Sequence, residues 1–328
     1  MRTTTLWTRT AAATITLAGS LTLAACGNPS EGGSTEVAAT SGTRTKINIS
    51  PDQRRVTTPK VDAIAAKVPA EIRDRGTLKL VTSSDSSAPL NFYANDNKTV
   101  IGVETDIAHL VADVLGLKLQ SAPASWENIF VGLSSGKFDI GLNNITVTEE
   151  RKDIYDFATY RKDDLAFEAK KGSGFKVSGP SDVAGKTVAV GSGTNQEKLL
   201  VEWSKENEQA GRKPVNIKYY QSQTDTNLAL ASGRIDLYLG PNPSAAYRAA
   251  ATGKTEVVGT YSGGGKTIQG LIAATTKKGN GLIQPVADAL NVVIKSGAYA
   301  KVLDRWGLAG EAVPRSEINP PGLPRTNK

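Results

Sequence analysis

The chain has 328 residues, 39% hydrophobic and 22% charged, which is enough apolar material for one or two buried cores and too much for a disordered protein. A single Cys and a single His exclude an intrachain disulfide and leave no basis for a His-rich metal site or a Ser-His-Asp assembly. The 39 basic residues exceed the 32 acidic ones to give a net charge of +7, but they are dispersed, without the dense Lys/Arg runs and interleaved aromatics of a nucleic-acid-binding surface.

The first predicted element is an address. Met1-Arg2 and Arg9 precede an uncharged Ala/Thr/Leu stretch from Thr10 to Ala25, so residues 1–25 read as a secretory signal peptide. The run is too short for a permanent transmembrane helix. Leu23-Ala24-Ala25-Cys26 resembles the lipobox of bacterial lipoproteins, which implies diacylation of the Cys26 sulfur and an extracytoplasmic protein anchored to the cell membrane. The Ser/Thr/Gly/Pro-dotted segment that follows reads as a flexible tether over 26–75.

Beyond it the periodicity predicts a strand over 77–81, an amphipathic helix over 104–115 stopped by Gly116, and a strand over 117–120. A helix from about 126 to 135 follows, with Trp126, Ile129, Phe130 and Leu133 on one face, and then a strand over 138–142. The same order recurs with a strand over 187–190, a helix from about 196 to 207, a strand over 215–220, a helix near 226–232 and a strand over 235–239. Leu133-Ser134-Ser135-Gly136-Lys137-Phe138-Asp139 and Leu230-Ala231-Ser232-Gly233-Arg234-Ile235-Asp236 repeat one phrase: a helix end, a Gly stop, a basic residue and a strand starting at Asp. Alternating strands and helices indicate α/β architecture, and the repeat indicates two lobes of related design. Small-molecule sites in such folds lie beyond the carboxyl ends of the strands, in the cleft between lobes.

Four segments carry a family resemblance over most of residues 76–308: Gly102-Val103-Glu104-Thr105-Asp106-Ile107; Ser125-Trp126 with the phrase at 133–139; Asn144-Ile145-Thr146-Val147-Thr148-Glu149-Glu150-Arg151 ending in Asp156-Phe157; and Ser296-Gly297-Ala298-Tyr299 with Leu303-Asp304-Arg305-Trp306-Gly307. In that order the chain resembles the bacterial extracellular solute-binding proteins of family 3, the polar amino acid type that serves ABC importers. The resemblance implies a two-lobed periplasmic-binding-protein-like clamshell. Two mixed, mostly parallel sheets would be joined by a two-strand hinge. Lobe 1 would hold 76–169 and 270–310, lobe 2 would hold 170–269, and 311–328 would be a C-terminal tail. The apolar runs 165–169 and 270–274 would form the hinge.

Arg151 follows Thr148-Glu149-Glu150, which reads as an N-cap and acidic first turn, and a guanidinium fork matches a carboxylate two bonds at a time. The alternative is a solvated Arg paired with Glu149 or Glu150. By resemblance, Arg151 grips the carboxylate of the ligand, helped by the Thr146 hydroxyl and the backbone around Asn144. Gly191-Ser192-Gly193-Thr194-Asn195-Gln196 reads as a Gly-rich turn into a helix start, where backbone amides favour an anion. Gln196 stands where a dinucleotide fingerprint needs Gly. Residues matching Thr194 and Asn195 would close over the same carboxylate beside Gly193, with Trp126 as a wall. His109 reads as structural.

Two departures stand out: Ser87-Ala88-Pro89-Leu90 offers no stacking ring, and Leu239-Gly240-Pro241-Asn242 offers no acid for an ammonium. Asp85 is the candidate replacement, with Asn143 and Asn144 as hydrogen-bonding groups. The implied protein is a monomeric substrate-binding lipoprotein that captures a small polar carboxylate, an amino acid or a derivative, by clamshell closure. Its partner would be a membrane permease, with no cofactor, metal or catalytic residue. Two other readings are a dehydratase of the same fold, with Asp85 or Glu127 as general acid, and a ligand sensor.

Overall fold

The computed structural model describes residues 34–38, 44–83 and 87–325. Cys26, the signal peptide and Asp85 lie outside the described residues. In chain order the elements are β1 (Ser34–Ala38), β2 (Arg44–Asn48), α1 (Asp62–Ala65), α2 (Ala70–Arg75), β3 (Thr77–Thr82), β4 (Phe92–Tyr93), β5 (Val100–Ile101), α3 (Val103–Leu115), β6 (Lys118–Pro123), α4 (Trp126–Ser134), β7 (Ile140–Gly141) and the long β8 (Tyr155–Lys170). They continue as β9 (Thr187–Val190), α5 (Asn195–Gln209), β10 (Asn216–Tyr219), α6 (Gln223–Ala231), β11 (Leu237–Pro241), α7 (Asn242–Thr252), β12 (Thr255–Ser262), β13 (Gly270–Lys277), α8 (Ile283–Ser296) and α9 (Ala298–Arg305).

The strands of both lobes lie on one path, in the order β10-β9-β11-β8-β13-β7-β3-β6, with β12 also on β8. β8 accounts for this continuity. Residues 155–163 pair with β13 on the side of β7, β3 and β6, and residues 164–170 pair with β12 on the side of β11 and β9. The pairs β3/β6, β3/β7, β9/β10 and β9/β11 are parallel, whereas every β8 pairing is antiparallel. The result is a two-lobed, mixed α/β fold whose two sheets share a strand.

Each lobe has its own core. In lobe 1, Leu110 and Val111 of α3 pack with Leu290 and Val293 of α8 and with Val302 and Trp306 around α9. In lobe 2, Leu199, Leu200 and Trp203 of α5 cover Val188, Leu237 and Phe167, because that spacing puts the three side chains on one helical face. Burying each such side chain is worth about 1.5–3 kcal/mol. The repeated phrase has the same function in both lobes. The Asp139 carboxylate accepts the Lys79 N–H at 2.7 Å, and the Asp236 carboxylate accepts the Thr187 N–H at 2.8 Å, so each Asp fixes the entry of a central parallel strand.

Two segments differ from expectation. The tether predicted over 26–75 is, from Ile47 onward, part of the globule: Ile47, Ile64, Val68 and Ile72 are buried in the lobe 1 core. Ile64 on α1, Val68 in the turn between the helices and Ile72 on α2 each point into that core, a signal masked by the polar composition of the stretch. The segment after residue 310 is likewise held down. Glu311, Val313 and Leu323 are buried, and bridges join Ala158 to Ile318 and Thr148 to Leu323, satisfying backbone groups along β8 and the 147–149 stretch.

Candidate functional site

A cavity of about 180 Å³ opens between the lobes, smaller than the roughly 300 Å³ at which sites for drug-sized ligands begin. Lobe 1 contributes Ser83, Ser87, Asn91, Trp126, Asn143 and Asn144, and lobe 2 contributes the carboxyl ends of its strands: 191–196 after β9, 220–223 after β10, and Tyr238 to Pro241 at the end of β11. Among the described residues all the lining side chains are uncharged. Five of the residues singled out in the sequence therefore meet on one cavity, namely Trp126, Asn143, Asn144, Thr194 and Asn195. Tyr220, Gln221, Gln223, Thr226 and Tyr238 join them unanticipated. Their signal was positional: Tyr220, Gln221, Gln223 and Tyr238 sit at or just past predicted strand ends, and Thr226 lies on the first turns of the helix that follows.

Asn143 is fixed in place. Its carboxamide oxygen accepts from the Ser83 N–H at 2.8 Å and from Asn91 Nδ2 at 3.3 Å. Asn144 holds φ of +51°, a left-handed conformation uncommon outside Gly. Its side-chain oxygen accepts from Arg161 Nη2, which turns the carboxamide toward the interior.

Arg151 lies beside the cavity, between the lobes. Its Nη1 donates to Thr146 O at 2.9 Å and its Nη2 to Gly193 O at 3.1 Å. The guanidinium carbon stands 5.3 Å from the Trp126 ring centre and 5.1 Å from that of Phe130, within cation–π range. Burial lowers its pKa to about 10, with the Asp163 carboxylate opposing that shift, so the group is cationic at neutral pH. Thr148 Oγ1 accepts the Arg151 N–H at 3.1 Å ahead of a single 3₁₀ turn over Arg151–Asp153, whose N-cap is Glu150 and not the expected Thr148.

The lobe 2 turn is arranged differently from expectation. The Gly193 N–H is not free but donates to Glu197 Oε2 at 2.6 Å, and the Gly193 carbonyl, facing lobe 1, accepts from Arg151 and, at 3.4 Å, from Trp126 Nε1. Thr194 is the N-cap of α5, accepting the Glu197 N–H at 3.1 Å and donating to Gly191 O at 2.7 Å. Asn195 donates to Asp163 Oδ2 at 3.0 Å and to Gly263 O at 3.2 Å, and the Thr146 hydroxyl donates to the same Asp163 oxygen at 2.7 Å. The side chains of Thr146 and Asn195, which the resemblance puts on a ligand, thus meet on a buried carboxylate at the centre of the shared strand. A Cβ on Gly263 would lie 1.8 Å from Asp163 Oδ2, so that close approach requires glycine. Burial raises the Asp163 pKa from 3.8 to about 6, against the pull of Thr146, Arg161 and Asn195.

Behind these groups sits a second charged cluster. Arg161 pairs with Glu104 at 2.9 Å and with Glu311, all three at most 1% exposed, and the Tyr160 hydroxyl donates to Glu104. Burial pushes the Glu311 carboxyl up to about 7 despite Arg161. Paired charges of this kind strongly penalise loss of either partner, and they hold Asn144 in its orientation. His109 is half-buried on α3, and burial lowers its pKa to about 4, leaving it neutral. Glu127 is exposed and does not line the cavity. Among the described residues no group of three or more His, Cys, Asp or Glu could hold a metal ion, and no helix is long and apolar enough to cross a membrane.

A two-lobed α/β chain with a small polar cavity at its strand ends is the architecture of a solute-binding protein. The sequence pattern of the bacterial extracellular solute-binding proteins, family 3, matches residues 80–309, and the chain belongs to that family. It is similar to the L-cystine-binding protein TcyJ of Escherichia coli (strain K12), with 30% identity over 237 residues covering 72% of this chain and 84% of that protein. Among solved structures it resembles an ancestral arginine-binding protein bound to arginine, with a TM-score of 0.61, 29% identity and coverage of 71% of this chain and 98% of that one. It also resembles the ancestral amino acid-binding protein AncCDT-1, a precursor of cyclohexadienyl dehydratase, with a TM-score of 0.61, 28% identity and coverage of 72% and 97%.

Proposed function

We propose that this protein captures an amino acid or a closely related small carboxylate between its lobes and presents it to an ABC importer, held at the membrane through a lipid on Cys26. The two halves of the clamp would be 76–169 with 270–310, and 170–269. The observation that carries the reading is the position of Arg151, a cation beside the interlobe cavity whose Nη2 is held by a single main-chain carbonyl of the facing lobe. A ligand carboxylate entering between Trp126 and the 191–196 turn offers two charged acceptors in place of that neutral one. Charge-assisted hydrogen bonds are worth about 1.5–3 kcal/mol each. Bonds made to both lobes at once exist only when the lobes are together, so the ligand shifts the population toward the closed form.

Asp85 would meet the ammonium group, and Asn143, Asn144, Thr194 and the uncharged lobe 2 side chains would read the remainder of the ligand. Binding of cystine or arginine by relatives supports an amino acid as the class. Capture is favoured over turnover by the relatives, which are binding proteins for cystine and arginine, and by Glu127, one of the two candidate general acids, which is exposed and does not line the cavity. The test is isothermal titration of the purified protein against the proteinogenic amino acids, cystine and their C-terminal amides. A free acid should bind and its amide should lose at least about a hundredfold in affinity. Equal binding of acid and amide, or product formation on incubation with cyclohexadienyl acids, would refute the proposal.

A further inference from the structure

Residues 322–325 lie beyond the part of the chain that matches the family, which ends at residue 309, yet they touch both walls of the site. The Leu323 N–H donates to Val147 O and Leu323 O accepts the Glu149 N–H, both at 3.0 Å, while the Gly322 N–H donates to Glu149 Oε1 at 2.8 Å. Arg325 donates to Glu149 O at 3.0 Å and pairs with Asp153 at 2.7 Å. These contacts enclose the 147–153 stretch, the stretch that carries Arg151. The side chain of Leu323 turns the other way. It is 4% exposed and belongs to the lobe 2 core with Leu165, Phe167, Leu199 and Trp203. Lys198 of α5 completes the crossing, donating to Pro324 O and pairing with Glu150 at 2.6 Å, and α5 begins at the turn whose Gly193 carbonyl receives Arg151.

One residue thus has its main chain bridged to the 147–149 stretch of lobe 1 and its side chain in the core of lobe 2. Separating the lobes must either break two backbone hydrogen bonds or pull a buried leucine into water. A Cβ on Gly322 would lie 2.4 Å from Val147 O, so the tail can lie this close only with glycine there. We propose that residues 322–325 are a brace that positions Arg151 opposite the Gly193 turn and biases the lobes toward the closed arrangement, with Leu323 as its key positioning residue. The proposal rests on the reading of Arg151 as the ligand anchor.

The test needs no ligand, so its failure is separable from failure of that reading. In the full chain carrying Cys26→Ser, spin labels on Lys98→Cys in lobe 1 and Glu208→Cys in lobe 2 report the interlobe distance by double electron–electron resonance. Leu323→Ala should raise the open-to-closed ratio by about tenfold, and Leu323→Met should restore the original distribution. A chain ending at Pro321 should open like the alanine variant and serves as the second probe if Leu323→Ala folds poorly. An unchanged distribution in Leu323→Ala and in the shortened chain, each with native circular dichroism, would overturn the brace while leaving carboxylate capture by Arg151 intact.

Discussion

Arg151 does two things that a lysine cannot do together: its fork spans the gap to two carbonyls on different lobes, and its guanidinium carbon stays within cation–π range of both Trp126 and Phe130. Arg151→Lys should therefore keep the charge and lose ligand affinity by about a hundredfold. The unliganded melting temperature should fall by only a few degrees, since the neutral acceptors it leaves are worth about 1 kcal/mol each; calorimetry and titration of one preparation check both. Asp163 makes a separate prediction. Its pKa is raised to about 6 by burial, so the folded state binds a proton more readily than the unfolded chain. Its contribution to stability is then greatest below about pH 4 and is lost as pH rises through about 6. Asp163→Asn should flatten that part of the curve of melting temperature against pH, with Glu311 supplying the slope that remains. An unaltered slope would mean that Asp163 does not titrate in this range. The Arg151 turn was readable from its Thr-Glu-Glu-Arg pattern. The Asp163 junction was not, because it joins residues 146, 163, 195 and 263, and no local pattern reports a meeting of that range.

At the scale of elements, the α/β alternation was legible because strand and helix periods differ and because Gly116, Gly136 and Gly233 punctuate the ends. The phrase repeated at 133–139 and 230–236 pointed to two related lobes, and the hydrogen bond that its Asp accepts from the N–H of a neighbouring strand gives the physical reason. What escaped was the 62–75 stretch, where three apolar residues spaced by four lie among polar ones, and the continuity of the sheets, which depends on the sixteen residues of β8 serving two sets of partners. Ile72→Ala should accordingly cost about 2–4 kcal/mol in chemical denaturation. A change under about 0.5 kcal/mol would be the behaviour of a tether and would contradict the packing of α2 on lobe 1.

At the scale of the whole molecule, the proposed lipid on Cys26 precedes the proposed clamp in the chain and is tested separately from it. Cys26→Ser should move the protein from the membrane fraction to the medium with ligand affinity unchanged, and retention on membranes would refute lipid anchoring. The clamp itself is tested most directly by asking what the protein carries. Native mass spectrometry of protein purified without denaturant, followed by identification of the molecule released from it, should find a small free carboxylate bound one to one in the wild type and absent from Arg151→Ala. A released molecule without a carboxylate, or one retained by Arg151→Ala, would contradict the central claim.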